Sequence, residues 1–308
     1  LSLHLSGAAE YSLGDTNHFS TNNSITVTPT GTGTTYIVYG RTASHICISS
    51  STIRIGVLAL PSVTLTASDT NLCNGQPDTL VATGGSSYNW YRNNTLLSEH
   101  GDTLIVTPTN NIQYTVEGIT SGYSPCSTQR TVNIHVYNYP SLAAMPDSGV
   151  CAGDQLVLRA TPRTASGVTY WYTVEGGSGS ALGMGSQARW TLTPTDSTTY
   201  VIHASRGPGY LCQVHDTVRV NRYPLPVLTT AAAPAIICSG DTAVLTASGA
   251  SSYTWSGSNI VAQGGGTAHV RPTNAYVDSA TVNYSVYATD SHQCHNTATQ
   301  AVVVHSDS

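Results

Sequence analysis

Apolar and polar side chains alternate in short runs along the whole chain. Ala243, Leu245 and Ala247 share one face of a run that ends in Ser248-Gly249-Ala250-Ser251-Ser252, and Tyr253-Thr254-Trp255 opens the next run. Val282, Tyr284, Val286 and Ala288 line one face of the longer run from Thr281 to Thr289. A period of two sends successive side chains to opposite faces of a strand, so each run predicts a half-buried β-strand and each Gly/Ser cluster a turn. Turn signals recur every 8 to 12 residues and a helical period is found nowhere, which predicts an antiparallel β-sandwich.

The pattern repeats. The last copy carries Cys238-Ser239-Gly240, Leu245, Tyr253-Thr254-Trp255, Pro272-Thr273, Tyr284, Cys294 and Val302-Val303-Val304. Cys73, Gly75, Leu80, Tyr88, Trp90, Pro108, Tyr114 and Cys126 form the second copy. The third has Cys151, Gly153, Leu158, Tyr170, Pro194, Tyr200 and Cys212, with Tyr172 in the Trp position and Trp171 beside it. Only Tyr11, Pro29, Tyr36 and Cys47 mark the first. The four prolines lie 79, 86 and 78 residues apart, so the repeating unit is a small domain and not a solenoid turn. Closing strands run directly into Leu60-Pro61, Tyr139-Pro140 and Tyr223-Pro224. These give domains at 1–60, 61–139, 140–224 and 225–308, joined by short proline-stiffened linkers. A Trp packed between sheets fits an immunoglobulin-like core.

Composition removes several functional classes. Of 308 residues only 9% are charged and the formal net charge is −5, so no basic surface points to nucleic acid. All 11 basic residues are Arg, which excludes a lysine Schiff base, a phosphate-loop lysine and Lys–Asn isopeptide cross-links. No run of 18 apolar residues is present, so no membrane insertion is expected. Six of the seven cysteines fall into one early and one late member per complete copy, 53, 61 and 56 residues apart. Cys73–Cys126, Cys151–Cys212 and Cys238–Cys294 are accordingly expected as one structural disulfide per complete domain, which places the protein in an oxidising compartment; buried free thiols are the alternative.

Chemistry is sparse. Eleven histidines are scattered, and His292, Cys294 and His295, the one close group, read better as a disulfide partner with neighbours than as a metal site. Glu stands only at 10, 99, 117 and 175, never at equivalent places in two copies, so no glycosidase pair is indicated. Neither a nucleophile elbow nor a calcium loop occurs. The expectation is no catalytic residue, no metal and no cofactor. Eighteen tyrosines could stack on sugars, although Tyr114, Tyr200 and Tyr284 read more simply as core or tyrosine-corner residues.

Tyr170-Trp171-Tyr172, Gly176-Gly177, Gly183-Met184-Gly185, Thr193-Pro194-Thr195 and Thr198-Thr199-Tyr200-Val201-Ile202 resemble the Ig-like and PKD-like repeats of large Bacteroidota surface proteins. The resemblance implies export by the type IX secretion system, an extracellular or cell-surface location, and kinship with gliding adhesins and filament-forming proteins. Asp78-Thr79, Asp102-Thr103, Asp216-Thr217, Asp241-Thr242 and Asp278-Ser279, each followed by a small or apolar residue, resemble the O-glycosylation acceptor motif of the same phylum. That implies glycans on Thr79, Thr103, Thr217, Thr242 and Ser279; turn-forming residues at strand starts explain the same pattern equally well. The function expected is a structural or adhesive repeat protein forming a stalk or fibre, with accessory repeats of a polysaccharide-degrading enzyme or a carbohydrate-binding module as alternatives. Partners would be further copies or surface glycans.

The first copy is cut. Ser6 to Leu13 aligns without gaps on Ser248 to Trp255 at an offset of 242, which puts the counterpart of Cys238 four positions before residue zero. Cys47 is therefore expected to be unpaired in this chain, and an edge strand of the first domain to be missing. Either the polypeptide continues upstream or another subunit donates the strand.

Overall fold

The computed structural model describes residues 1–176, 180–275 and 278–306; Gly177 of the motif above lies outside them. Apart from a 3-10 turn at Pro208–Tyr210, the regular structure is all strand, and the fold is an Ig-like β-sandwich in tandem. The chain separates into two compact units, Leu1–Val136 and Tyr137–Ser308.

In the first unit, Glu10–Leu13, Thr34–Arg41 and Ile48–Ile55 form a three-stranded sheet, and Ser2–His4 pairs with Ser24–Thr26. The strands Thr64–Ala67, Asp78–Thr83 and Thr103–Val106 form another three-stranded sheet. A five-stranded sheet runs in the order Thr95–Leu96, Ser87–Arg92, Ile112–Ile119, Ser127–Tyr137, Asn71–Cys73. Val63, Leu80, Trp90, Val116 and Ile134 make the core beneath it.

The second unit holds two such pairs of sheets. Ala143–Ala144, Leu156–Thr161 and Arg189–Leu192 face a five-stranded sheet ordered Ser148–Cys151, Cys212–Tyr223, Thr198–Arg206, Val168–Val174, Leu182–Gly185. Thr229–Ala233, Ala243–Ser248, Thr267–Val270 and Ile260–Gly264 face Ile236–Cys238, His295–His305, Ser279–Thr289 and Ser252–Ser256. Each pair encloses its own core, one around Leu158, Tyr170 and Ile202, the other around Leu245, Trp255 and Tyr284.

One strand pair in each of these departs from the antiparallel expectation. Ser148–Cys151 runs parallel to Cys212–Tyr223, and Ile236–Cys238 parallel to His295–His305. The opening segment of each copy starts on one sheet and crosses to the other at a proline, Pro146 or Pro234. Proline has no N–H to continue the first ladder, so the chain leaves that sheet there.

Small residues set the local geometry. Gly84 and Gly249 sit at φ +88° and +101°, and a Cβ on either would lie 2.0 Å from the carbonyl oxygen of Ser62 or Val227. The turns after them are pinned by Tyr88 and Tyr253. Each hydroxyl accepts the N–H and donates to the C=O of the residue three before it, Gly85 or Ala250. Two residues further on, the indoles of Trp90 and Trp255 donate to the carbonyls of Gly101 and Gly266 at 2.8 and 3.3 Å. In the third copy the register does put Tyr172 at the Trp position, opposite Ile202 as Trp90 is opposite Val116. The fully buried ring there is Tyr170, while Tyr172 is half-buried against Trp190 at 5.2 Å.

Candidate functional site

The Cys-x-Gly motif is a strand end followed by a tight turn. Gln76, Asp154 and Asp241 donate their N–H to the carbonyls of Cys73, Cys151 and Cys238 at 2.9, 3.0 and 3.1 Å. The third turn residue, Gly75, Gly153 or Gly240, has φ of +82°, +92° or +81°, which a side chain would resist. Gly75 and Gly240 donate in turn to the carbonyls of Pro108 and Pro272, which links the cysteine motif to the Thr-Pro motif. The early cysteine is thus fixed at one pole of its sandwich.

The late cysteine is fixed at the other pole, at the end of the hairpin between the last two strands. Asp290 Oδ1 accepts the N–H of His292 and of Cys294 at 2.8 and 2.9 Å, and Asp290 N–H donates to Cys294 O at 2.9 Å. Gln293, at φ +68°, closes the turn. In the second copy Thr120 takes the part of Asp290: its Oγ1 accepts the Cys126 N–H at 2.9 Å and its own N–H donates to Cys126 O at 2.9 Å.

This placement overturns the expected pairing within each copy. Cys151 stands opposite Tyr223, whereas Cys212 begins the same strand 11 residues earlier. At ~3.3 Å per residue the two are roughly 36 Å apart, where a disulfide requires Cα atoms within about 7 Å. Cys238 stands opposite His305, and Cys294 directly precedes His295 at the far end of that strand. In the second copy His135 donates to Thr70, which sets Asn71–Cys73 at the end of Ser127–Tyr137 remote from Cys126. Cys73–Cys126, Cys151–Cys212 and Cys238–Cys294 are therefore not the disulfides of this protein.

Cys151 is bonded instead to Cys294 of the following copy, with Cα atoms 5.5 Å apart. Cys73 and Cys212 are also in disulfide linkage, while Cys126, Cys238 and Cys47 are free thiols. The bond is one part of a packed junction. Tyr223 lies over Gly149, where a Cβ would come within 2.6 Å of the ring, and its other face stacks on His292 at 3.9 Å and 18°. Asn296 Nδ2 donates to the Pro226 carbonyl of the linker at 3.0 Å. Hairpin, linker and strand end are thus held by a covalent bond, a ring stack and a hydrogen bond. Register counting would have exposed the polar separation of the cysteines, but equal spacing in every copy drew attention to pairing within the copy.

A second cluster lies on the five-stranded sheet of the third copy. Trp171 stacks on His203 at 5.1 Å and 4°, Tyr210 tilts against Trp171 at 5.5 Å, and His215 lies 6.0 Å from His203. Burial, and then the charge of His215, hold the His203 pKa below its ordinary value. His203 Nε2 lies 3.0 Å from Thr173 Oγ1. Of the residues considered for metal, Cys294 is consumed in the disulfide, His292 stacks on Tyr223, and His295 stacks on Tyr287 at 5.2 Å. Thr103, Thr217, Thr242 and Ser279 of the acceptor-like motifs are exposed, and Thr79 is half-buried.

No family model and no curated protein matches the chain. Solved structures resemble it in fold. The N-terminal eight Ig domains of Down Syndrome Cell Adhesion Molecule align over 96% of this chain at 12% identity and a TM-score of 0.34; the chain spans 44% of that structure. The ICAM-5 D1-D4 ectodomain fragment aligns over 99% of this chain and 91% of its own at 13% identity and a TM-score of 0.39. A bacterial ice-binding adhesin aligns over 80% of this chain and 98% of its own at 13% identity and a TM-score of 0.33. Among the described residues, no helix is long and apolar enough to cross a membrane.

Proposed function

We propose that this chain is an extracellular structural or adhesive repeat protein whose Ig-like domains, 1–60, 61–139, 140–224 and 225–308, act as load-bearing modules of a bacterial surface stalk or fibre. The observation that carries this reading is the Cys151–Cys294 bond between consecutive copies. A bond inside a domain protects that domain alone. A bond from one domain to the next also limits how far their junction can bend or extend, which a load-bearing string requires and an isolated binding module does not. The named adhesion proteins that share the fold fit this reading. Export by a type IX system, and glycans on Thr103, Thr217, Thr242 and Ser279 with Thr79 less accessible, belong to the same proposal. The carbohydrate-binding alternative needs an open aromatic platform; the Trp171–His203 row is covered, with Trp171 only 8% exposed.

Single-molecule extension of the whole chain tests the reading. Pulled from its ends, the oxidised protein should hide the segment between Cys151 and Cys294, which is 143 residues long. The Cys151→Ser/Cys294→Ser variant should extend further by roughly 500 Å, at about 3.6 Å per residue. Equal contour lengths for the two proteins would refute a load-bearing bond at this junction.

A further inference from the structure

Cys238 repeats the position of Cys151 in the fourth copy. Both end a short strand that runs parallel to the last strand of its copy, Cys151 opposite Tyr223 and Cys238 opposite His305. Both are followed by the same turn, in which the next residue, Ala152 or Ser239, donates its N–H to that opposite carbonyl at 2.8 Å. Cys151 uses this placement to bond the hairpin cysteine of another copy, whereas Cys238 is free and exposed. A groove of about 400 Å3 lies beside Cys238, lined by Ile236, Asp241 and His305 among others. Ile236, 60% exposed, supplies an apolar wall where the third copy has Gly149.

The complementary half is also on this chain. Cys47 ends a hairpin turn built like that of Cys294. Thr42 N–H donates to Cys47 O at 3.3 Å, as Asp290 N–H does to Cys294 O, and His45 at φ +61° occupies the turn as Gln293 does at +68°. Cys47 too is free and exposed. We infer that Cys238 is a covalent docking site for a second copy of this chain, engaged through the Cys47 hairpin of that copy. The contact joins two different surfaces, so it is heterologous and propagates into covalent multimers. It rests on the load-bearing reading above and extends it from one junction to assembly.

The bond forms by thiol–disulfide exchange with a small-molecule disulfide. The Cys238 thiolate attacks one sulfur of oxidised glutathione and expels a glutathione thiolate. The Cys47 thiolate of the second copy then attacks Cys238 Sγ and expels the other. Two protein thiols and one oxidised glutathione give one protein disulfide and two reduced glutathiones.

The test is incubation of the concentrated chain in a glutathione redox buffer, followed by non-reducing electrophoresis and mass mapping of linked peptides. A ladder of covalent multimers is expected, with Cys238–Cys47 peptides at least tenfold above Cys238–Cys238. Cys238→Ser and Cys47→Ser should each abolish the ladder without moving thermal unfolding, because both thiols are exposed and unbonded. Cys238 recovered only as its glutathione adduct, linked to Cys126, or linked to Cys238 as often as to Cys47 would overturn the inference. The same map reads the Cys151–Cys294 peptide, so failure of the docking site is separable from failure of the junction beneath the proposed function.

Discussion

Single atoms decide much of the stability of these sandwiches. Gly84 and Gly249 take left-handed φ values with a backbone oxygen where a Cβ would stand. Gly249→Ala and Gly84→Ala should each cost about 3 kcal/mol of unfolding free energy, from strained φ and displacement of the Val227 or Ser62 backbone. Denaturant titration of the whole chain checks this, and an alanine that left the midpoint unmoved would show that the turn relaxes freely. The tyrosines separate into two kinds that look alike in sequence. Tyr253 uses its hydroxyl twice against Ala250, whereas the Tyr284 hydroxyl is buried without a hydrogen-bond partner. Tyr253→Phe should lose about 1 kcal/mol, while Tyr284→Phe should be neutral or stabilising because it removes a buried unsatisfied group. The same titration compares the two, and equal losses would contradict the assignment.

Strands and turns were largely legible in the chain, because period-two alternation and glycine punctuation are local signals. The Trp and Tyr of Tyr-x-Trp, the Cys-x-Gly turn and the Thr-Pro segment each fall where a strand pattern requires them. Less legible was the crossing of the opening segment between sheets, since only Pro146 and Pro234 mark it, and the parallel pairing that results depends on distant strands. The Trp171–His203–His215 row was hidden for the same reason: its members come from three strands and meet only through cross-strand register. Its behaviour follows from burial. His203 titrates below its ordinary value of 6.5 in the folded chain. Above that pH both folded and unfolded states hold it neutral; below it the unfolded chain binds the proton first, so stability falls as the solution is acidified toward the folded pKa. Unfolding midpoints between pH 7.5 and 5 should therefore decline, and His203→Gln should flatten the part of the slope due to this residue. An unchanged slope in the variant would remove His203 as the cause.

At the scale of the molecule, the error in cysteine pairing is instructive, because a spacing that repeats in every copy is produced equally by a bond inside each copy and by a bond between neighbours. Only the pole at which each cysteine sits separates the two, and that is a property of strand length: a strand of 11 or 12 residues carries the late cysteine at one end and its last residue, beside the early cysteine, at the other. The junction so formed couples two cores that otherwise touch through a short linker. If the third copy unfolds while the fourth stays folded, Cys151 remains tied to Cys294, and the segment from Cys151 to Pro224 is closed into a loop of 73 residues. Closing such a loop costs about 4 kcal/mol of chain entropy, which opposes partial unfolding by that amount. Hydrogen exchange measured by mass spectrometry in rising denaturant should find peptides from 156–220 and 243–304 opening at nearly the same concentration in the oxidised protein. In the Cys151→Ser/Cys294→Ser variant the two sets should separate, with the weaker copy opening several kcal/mol earlier. Midpoints that stay coincident without the bond would mean that packing of Tyr223 on His292 and the linker contacts alone hold the copies together.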